Sequence, residues 1–292
     1  KRNITGDFRF VCLTDKNDGI NINVETYPIP DIGLEPDHWH HGAWPKISIF
    51  KENNIEIRLV GGCIRDALLE REIKDIDTAT TLEPQDVLSL LKENNIEYDD
   101  FAIQYGSIIA YPHNRKIQIT TLREDVNQMG RHTNVIYTNS WKKDSARRDF
   151  TFNALYVGNN NKLHDYYNGQ SDLNESKICF IGEIEDRIKE DYLRIYRYFR
   201  FRGLFNLPKT SLSDQKIVEK YIHESLAVLT NDVIRQEILK MFNMSFPLNC
   251  FYISHQTLQK FKWVEIVKEH FIRTKYDLGL NKCLNKIESI IN

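Results

Sequence analysis

The sequence predicts an α+β fold, with a mixed sheet and its helices followed by an all-helical remainder. Between about residues 46 and 157, short apolar runs typical of strands alternate with amphipathic segments typical of helices. After about residue 175 the strand pattern fades, and apolar residues recur at helical spacing to the end of the chain. The predicted strands are 57–60, 75–80, 107–111, 116–122 and 153–157, and the predicted helices include 64–70 and 84–94, where Pro84 marks a helix start.

Length and local pattern divide the chain into four predicted segments. With 292 residues it exceeds one typical domain. Residues 1–45 form a polar, proline-containing segment without a helical period, and we assign it no role. Residues 46–157 form the mixed domain, and residues 158–230 and 231–292 form two helical segments.

Composition sets broad limits on function. The chain is 41% hydrophobic and 27% charged, as in ordinary globular proteins, and its net charge of -2 excludes a generally polycationic nucleic-acid binder. Five cysteines without C-x-x-C pairing predict reduced thiols and no structural zinc. Because no apolar run is long enough for a membrane span or a signal peptide, we expect a cytoplasmic protein, or a mitochondrial-matrix protein if a presequence has been removed.

A double glycine lies at a predicted strand-to-helix turn. Gly61 and Gly62 follow the strand candidate 57–60 and precede the helix candidate 64–70. Backbone N–H groups at a helix start attract anions, and glycine lets a triphosphate approach the backbone closely. Arg65 can add a bidentate contact. The turn therefore predicts a site for nucleotide phosphates.

Two aspartates follow this turn at a spacing of two. On a strand, Asp75 and Asp77 point to the same face because side chains alternate. Mg²⁺ prefers oxygen ligands and commonly takes one or two carboxylates together with substrate phosphates. An isolated D-x-D is more often a solvated turn, but the upstream glycines favour a metal site for nucleotidyl transfer.

A second polar block lies at Arg147-Arg148-Asp149-Phe150-Thr151-Phe152-Asn153. Arg148 can bind a triphosphate, while the carboxylate of Asp149 or the amide of Asn153 can reach a ribose hydroxyl. The alternative is a surface ion pair before a buried strand. The polar stretch from Arg123 to His132, which contains Gly130, is predicted to be a mobile loop near the site.

A third group of polar residues recurs at helical spacing. A spacing of three predicts one helical stripe of Asp191, Arg194, Arg197 and Arg200. A carboxylate beside an arginine presents acceptors and donors that match a nucleobase edge, and further arginines can meet phosphates. The alternative is a salt-bridge ladder on a solvated helix face.

Five motifs in order resemble those of the bacterial-type, class II tRNA nucleotidyltransferases and cover about residues 55–242. They are Gly61-Gly62-x-x-Arg65-Asp66 with Asp75-x-Asp77, Arg147-Arg148-Asp149-Phe150-Thr151-x-Asn153-Ala154-Leu155, Asp165-Tyr166-Tyr167-Asn168-Gly169-x-x-Asp172-Leu173, Glu190-Asp191-x-x-Arg194, and Leu229-Thr230-Asn231-Asp232-Val233-Ile234-Arg235-x-Glu237.

The resemblance implies a polymerase-β-like head, a helical neck and a helical body, with CCA added to tRNA 3′ ends from CTP and ATP. In that case Asp75 and Asp77 hold Mg²⁺, Gly62, Arg65 and Arg148 contact the incoming nucleotide, and Asp191 with Arg194 pairs with the base edge. Arg197 and Arg200 lie in the same pocket. The stretch from Arg123 to His132 resembles the flexible element associated with the switch from C to A addition.

Three departures from the family pattern keep alternatives open. Gln118 stands where relatives often carry a third carboxylate, which predicts weaker metal binding. Gln128-Met129 replaces the expected loop residues, and the body is shortened after about residue 243. A bacterial poly(A) polymerase, an enzyme adding only CC or only A, and a non-catalytic RNA-binding relative remain the alternatives.

Overall fold

The computed structural model describes residues 11–13, 25–27, 49–50, 55–112, 116–129, 132–158 and 162–250. Within the predicted segment 1–45 it shows two short parallel strands, β1 (Val11–Leu13) and β2 (Glu25–Tyr27). The predicted helical end of the chain beyond residue 250 lies outside the described residues.

The predicted mixed sheet is confirmed and has seven strands. They are β3 (Ile57–Val60), β4 (Ile76–Thr80), β5 (Tyr98–Asp99), β6 (Ser107–Ala110), β7 (Ile117–Thr121), β10 (Leu155–Gly158) and β11 (Leu163–Asp165), in the order β11-β10-β3-β4-β7-β6-β5. Only β4 and β7 pair in parallel among these neighbours. Because β11 belongs to the sheet, the sheet continues past the predicted head boundary at residue 157.

Two helices cover one face of the sheet. Helix α1 (Gly62–Leu68) packs Ile64 and Ala67 against Leu59, and helix α2 (Pro84–Glu93) packs Val87 and Leu91 against the inner residues of β6 and β7. Helix α1 ends before the predicted residue 70, because Glu70 has a φ of 54° and leaves the helical region.

The opposite face is covered by helix α3 (Trp141–Ala146). Trp141 packs edge-on against Tyr156, with ring centroids 5.5 Å apart, above Val60 and Ala79. The fully buried Asp144 accepts hydrogen bonds from the Tyr156 hydroxyl at 2.7 Å and from the backbone N–H of Arg123 at 3.2 Å. This carboxylate therefore fixes the backbone at Arg123, two residues beyond the end of β7.

The stretch from Arg123 to His132 was predicted to be a mobile loop, and this prediction is wrong for its described residues, which lie in strands. Its residues form strand β8 (Arg123–Met129), which pairs with β9 (His132–Tyr137) in a separate two-stranded sheet, and Gly130 lies outside the described residues. The sequence pattern did not indicate these strands, because the largely polar run from Arg123 to Met129 lacks the apolar alternation by which strands are recognised.

The helical remainder is confirmed for the described residues. Its helices are α4 (Gly169–Asn174), α5 (Ile184–Glu190), α6 (Leu193–Arg202), α7 (Leu212–Lys220), α8 (Ile222–Val228), α9 (Asn231–Phe242) and α10 (Pro247–Cys250). Short 3₁₀ turns lie at Ile103–Tyr105 and Thr151–Asn153.

The chain divides into two compact units. The first contains the seven-stranded sheet and comprises residues up to Glu124, then Val135–Arg147 and Phe152–Gly169. The second comprises Asp125–Asn134, Arg148–Thr151 and the residues from Gln170 onward. Aromatic rings form part of the core of the second unit. The ring centroid of Phe150 lies 4.6 Å from that of Phe180 and 5.2 Å from that of Phe201.

Two expectations about chemistry and membranes can be compared with the described part of the chain. Cys63, Cys179 and Cys250 are free thiols, as predicted, whereas the side chains of Cys12 and Cys283 lie outside the description. None of the helices in the ranges given above is long and apolar enough to cross a bilayer.

Candidate active site

The paired carboxylates lie at the start of β4, in the first unit. Asp75 is exposed and directly precedes the strand, and the half-buried Asp77 is its second residue. Both line one open cavity of about 240 Å³, together with Ile76, Lys116 and Gln118. The predicted placement of two carboxylates on one face is therefore what the fold produces.

Gln118 lies directly beside Asp77. The parallel register of β4 and β7 pairs the Cα of Asp77 with that of Gln118, and the hydroxyl of Thr78 donates to the Gln118 carbonyl at 3.0 Å. Because paired residues of neighbouring strands project to the same face, the Gln118 amide and the Asp77 carboxylate lie on one face of the sheet. Among the residues with described side chains, no group of three or more His, Cys, Asp or Glu could hold a metal ion.

The glycine turn lies next to these carboxylates. Gly61 is the N-cap of α1 with φ 78° and ψ -125°, a conformation open to glycine and costly for other residues. Strand β3 is antiparallel to β4 with Leu59 opposite Thr78, so the end of β3 reaches the start of β4. The Cys63 thiol, in the first turn of α1, donates to the Val60 carbonyl at 3.3 Å.

The Cys63 thiol also contacts the backbone of β4. Its sulfur lies 3.8 Å from the carbonyl oxygen of Asp77. Burial, and more weakly the charge of Asp77, raise the pKa of the Cys63 thiol to about 11, although its backbone hydrogen bonds act in the opposite direction. The thiol is therefore a packing group that remains protonated near neutral pH.

Arg65 is buried and already makes several contacts. Its Nε and Nη2 bind the two carboxylate oxygens of Asp66 at 3.0 and 2.7 Å, and its Nη1 donates to Asn153 Oδ1 at 2.7 Å. The bond to Asn153 joins α1 to the 3₁₀ turn before β10. The structure thus brings Gly61, Gly62, Arg65 and Asn153 together, although the resemblance alone did not indicate that Arg65 and Asn153 are partners.

The remaining predicted nucleotide-contacting residues lie in the second unit. Asp149 is buried, and its carboxylate accepts from the Phe150 backbone N–H at 2.9 Å and from Arg197 Nε at 2.5 Å. The carbonyl of the neighbouring Arg148 accepts a hydrogen bond from Arg187 Nη2 at 2.7 Å.

The predicted helical stripe is wrong for its first member. Asp191 has extended backbone angles, φ -149° and ψ 104°, and lies between α5 and α6. Its Oδ1 accepts from the Leu193 N–H at 2.9 Å, as a side chain does when it satisfies a donor at a helix start. Arg194 is buried and donates through Nη1 to Glu190 Oε2 at 2.7 Å and to the Arg187 carbonyl at 2.9 Å.

The alternative of a solvated salt-bridge ladder is also wrong. The arginines of α6 pair with carboxylates from other segments, Arg197 with Asp149 and Arg200 with Glu237, the latter at 2.7 Å. Most of the helix is buried, including Ile195 and Phe199 as predicted. Arg194, Arg197 and Arg200 therefore form ion pairs inside the second unit.

Sequence reasoning assigned no role to four residues that the structure places beside the predicted ones. Lys116 lines the carboxylate cavity, and Arg187, Glu190 and Glu237 contact the predicted arginines or their backbone. Of the four, Arg187 and Glu190 carried a local signal, because they lie three residues apart, a spacing that places two side chains on one helix face.

Comparisons with known proteins agree with this architecture. Residues 57–179 match the family described as the poly A polymerase head domain. The chain is 42% identical over 156 residues to the human protein named CCA tRNA nucleotidyltransferase 1, mitochondrial, a match that covers 53% of this chain and 36% of that protein. It is 33% identical over 201 residues to the CCA-adding enzyme of Lactobacillus delbrueckii subsp. bulgaricus, which covers 68% of this chain and 49% of that protein.

Solved structures extend the likeness beyond the sheet. The Bacillus stearothermophilus CCA-adding enzyme in complex with CTP matches with a TM-score of 0.65 and 25% identity, over 75% of this chain and 51% of that one. The Thermotoga maritima CCA-adding enzyme complexed with tRNA shares the fold, with a TM-score of 0.60 at 22% identity over 82% of this chain and 55% of that one. The chain spans about half the length, or less, of the curated relatives that it matches.

The sheet followed by helices has the fold of a polymerase-β-like head with a helical region, as in the nucleotidyltransferases that it matches. Among nucleotidyltransferases, the chain is similar to CCA-adding enzymes, over about half or less of the length of the curated relatives.

Proposed function

We propose that this chain adds CCA to the 3′ ends of tRNA without a nucleic-acid template, using CTP and ATP. The observation that carries the proposal is the placement of Asp75 and Asp77 in one cavity beside the glycine turn, in a chain whose relatives are named CCA-adding enzymes. In the reaction, the tRNA 3′ oxygen bonds to the α-phosphorus and loses its proton. The bond to the bridging oxygen breaks, and pyrophosphate leaves.

We propose Mg²⁺ as the cofactor, held by Asp75 and Asp77. The donors fit this ion, because two carboxylates and the amide oxygen of Gln118 are hard oxygen ligands in an open cavity that leaves room for substrate phosphates. When bound, such an ion neutralises charge on the phosphates and activates the attacking oxygen. The family is one of nucleotidyltransferases, and the identity of the metal is part of this proposal.

The remaining residues are proposed to bind and orient the nucleotide. In the first unit, Gly61 and Gly62 leave space for the triphosphate, while Arg65 and Asn153 hold the turn through their mutual hydrogen bond. In the second unit, Arg148, Asp149, Asp191, Arg194, Arg197 and Arg200 form the nucleotide-contacting set. Positioning of the reactants and charge neutralisation then supply most of the rate enhancement.

Incorporation of each labelled nucleotide into tRNA that lacks its CCA end, with Mg²⁺ or with chelator, tests the proposal. We expect metal-dependent products that stop after C-C-A when their ends are sequenced. A long A tract instead identifies a poly(A) polymerase, which the matching head-domain family also includes by name. Products ending after C-C, or A addition alone, identify a partial enzyme, and no incorporation into any RNA favours the non-catalytic relative.

Exchanging Gln118 for glutamate is expected to tighten binding of Mn²⁺, used as a probe for the metal site, by about tenfold. The added carboxylate lies beside Asp77, where a full negative charge attracts a cation more strongly than an amide dipole does. Electron paramagnetic resonance of free Mn²⁺ during a titration measures the change without requiring activity. Gln85→Glu, at an exposed position of α2, is the matched control. Equal Mn²⁺ affinity in wild type and Gln118→Glu contradicts the assignment.

For location, we propose the cytoplasm or the mitochondrial matrix. The human and zebrafish relatives carry the word mitochondrial in their names, whereas the Lactobacillus relative comes from a bacterium. Imaging of the tagged full-length protein in its own cells distinguishes the two compartments.

A further inference from the structure

Arg187 of helix α5 contacts two of the proposed nucleotide-binding segments of the second unit. Its Nη2 donates to the carbonyl oxygen of Arg148 at 2.7 Å, and its Nη1 bonds to Glu190 Oε2. The side chain is largely buried, with 11% of its surface exposed. One guanidinium thus reaches the backbone of the arginine block and the carboxylate at the end of its own helix.

The backbone of Arg187 completes the arrangement. Its carbonyl oxygen accepts a hydrogen bond from Arg194 Nη1 at 2.9 Å, and the Asp191 N–H approaches the same carbonyl at 3.4 Å. Glu190 Oε2 is shared, because it binds both Arg187 and Arg194. The residue therefore touches the backbone of Arg148 and Asp191 and the side chain of Arg194.

Charges from four chain segments face this guanidinium. Burial lowers the pKa of Arg187, and the nearby Arg194 lowers it further, whereas Glu190, Asp149 and Asp125 act in the opposite direction. Asp125 belongs to strand β8 and Asp149 to the arginine block. Because its planar fork of donors can satisfy several acceptors in fixed directions, arginine suits this position better than lysine.

We propose that Arg187 is a positioning residue that sets the geometry of Arg148 and Arg194 for selective binding of CTP and ATP. This role rests on the proposed function. Arg187 itself makes no proposed contact with the nucleotide. It acts through the Arg148 carbonyl, which fixes the start of that side chain, and through Glu190, which fixes the direction of the Arg194 guanidinium.

Replacing Arg187 with glutamine is expected to lower the preference for CTP and ATP over GTP and UTP by about tenfold, equivalent to ~1.4 kcal/mol. Glutamine removes the positive charge that pairs with Glu190 and the two-armed contact to Glu190 and the Arg148 carbonyl, so the Arg194 fork loses its fixed direction. Dissociation constants of the four nucleotides, measured by calorimetry on the whole chain with Mg²⁺ and without tRNA, give the ratio. The affinity for all four nucleotides is also expected to fall, because the Arg148 backbone loses its hydrogen bond from Arg187.

Two further variants separate positioning from general stability. Lys189→Gln lies on the same helix, and its side chain is 52% exposed, so its nucleotide preference should equal that of wild type. Arg187→Lys keeps the charge without the fork and should give an intermediate preference, which provides a second test if the glutamine variant does not fold. A purely structural role lowers the melting temperature and weakens all four nucleotides equally.

The outcomes distinguish this proposal from the proposed function. An unchanged preference in folded Arg187→Gln or Arg187→Lys protein overturns the positioning role, even if wild type adds CCA. Wild type that binds no nucleotide overturns both. Wild type that binds CTP and ATP selectively but adds no CCA overturns only the proposed function, and the variants still measure the role of Arg187.

Discussion

Replacing Asp75 with alanine is expected to abolish incorporation of both cytidine and adenosine, by about a thousandfold or more. Metal ions stabilise the charge of a phosphoryl transfer by several kcal/mol, and every ~1.4 kcal/mol of lost stabilisation slows the reaction tenfold. Asp75 is exposed and precedes β4, so its loss should leave the fold intact. Single-turnover incorporation into tRNA lacking CCA measures the effect, with a melting curve as the check on folding.

Two further variants, one a control and one a contrast, are needed to interpret the result for Asp75→Ala. Glu72→Ala alters an exposed acid of the same connection between α1 and β4 and should keep full activity. Asp191→Ala should mainly degrade the choice among bases, because Asp191 is proposed to read the base edge rather than to hold the metal. If folded Asp75→Ala protein retains activity, the metal assignment is wrong. Equal loss for all nucleotides in folded Asp191→Ala protein removes the base-reading role.

Replacing Glu237 with alanine is expected to destabilise the protein by about 3 kcal/mol. Its carboxylate is almost fully buried and binds Arg200 Nε and Lys240 Nζ, each at 2.7 Å. Removing it leaves the charge of the largely buried Arg200 without this partner. Chemical denaturation measures the free energy of unfolding. Asp232→Ala is the control, because the Asp232 side chain is 78% exposed and its ion pair with Arg235 on the same helix should contribute less than about 1 kcal/mol.

The same ion pairs make the contribution of Glu237 to the free energy of unfolding depend on pH. Burial alone raises the pKa of the Glu237 carboxyl, but Arg200, Lys240 and Arg197 together bring it below its ordinary value of 4.5. A depressed pKa contributes stability that is present above 4.5 and is lost as the pH falls through the folded-state value. The stability difference between wild type and Glu237→Gln should therefore shrink in acid. A difference that is constant or grows on acidification contradicts this account.

Local sequence signals predicted the sheet well and the ion pairs poorly. Strands such as 57–60 were predictable because apolar runs of that length record burial directly, and the D-x-D spacing placed Asp75 and Asp77 on one face. The partners of the α6 arginines were not, because Glu237 lies 37 positions from Arg200 and no local spacing connects them. Likewise, the spacing rule assigned Asp191 to a helix that in fact begins at Leu193. Spacing alone cannot show that the Asp191 carboxylate accepts a hydrogen bond from a backbone N–H at the start of that helix.

The parallel pairing of β4 and β7 bears on how the protein gains its chemistry while it folds. Parallel neighbours cannot be joined by a tight turn, and here α2, β5 and β6 lie between them in the chain. The Thr78 hydroxyl meets the Gln118 carbonyl across 40 positions, a non-local contact of the kind that forms slowly because a long loop must close first. A chain emerging from the ribosome therefore exposes both aspartates well before β7 is available to complete the cavity around them.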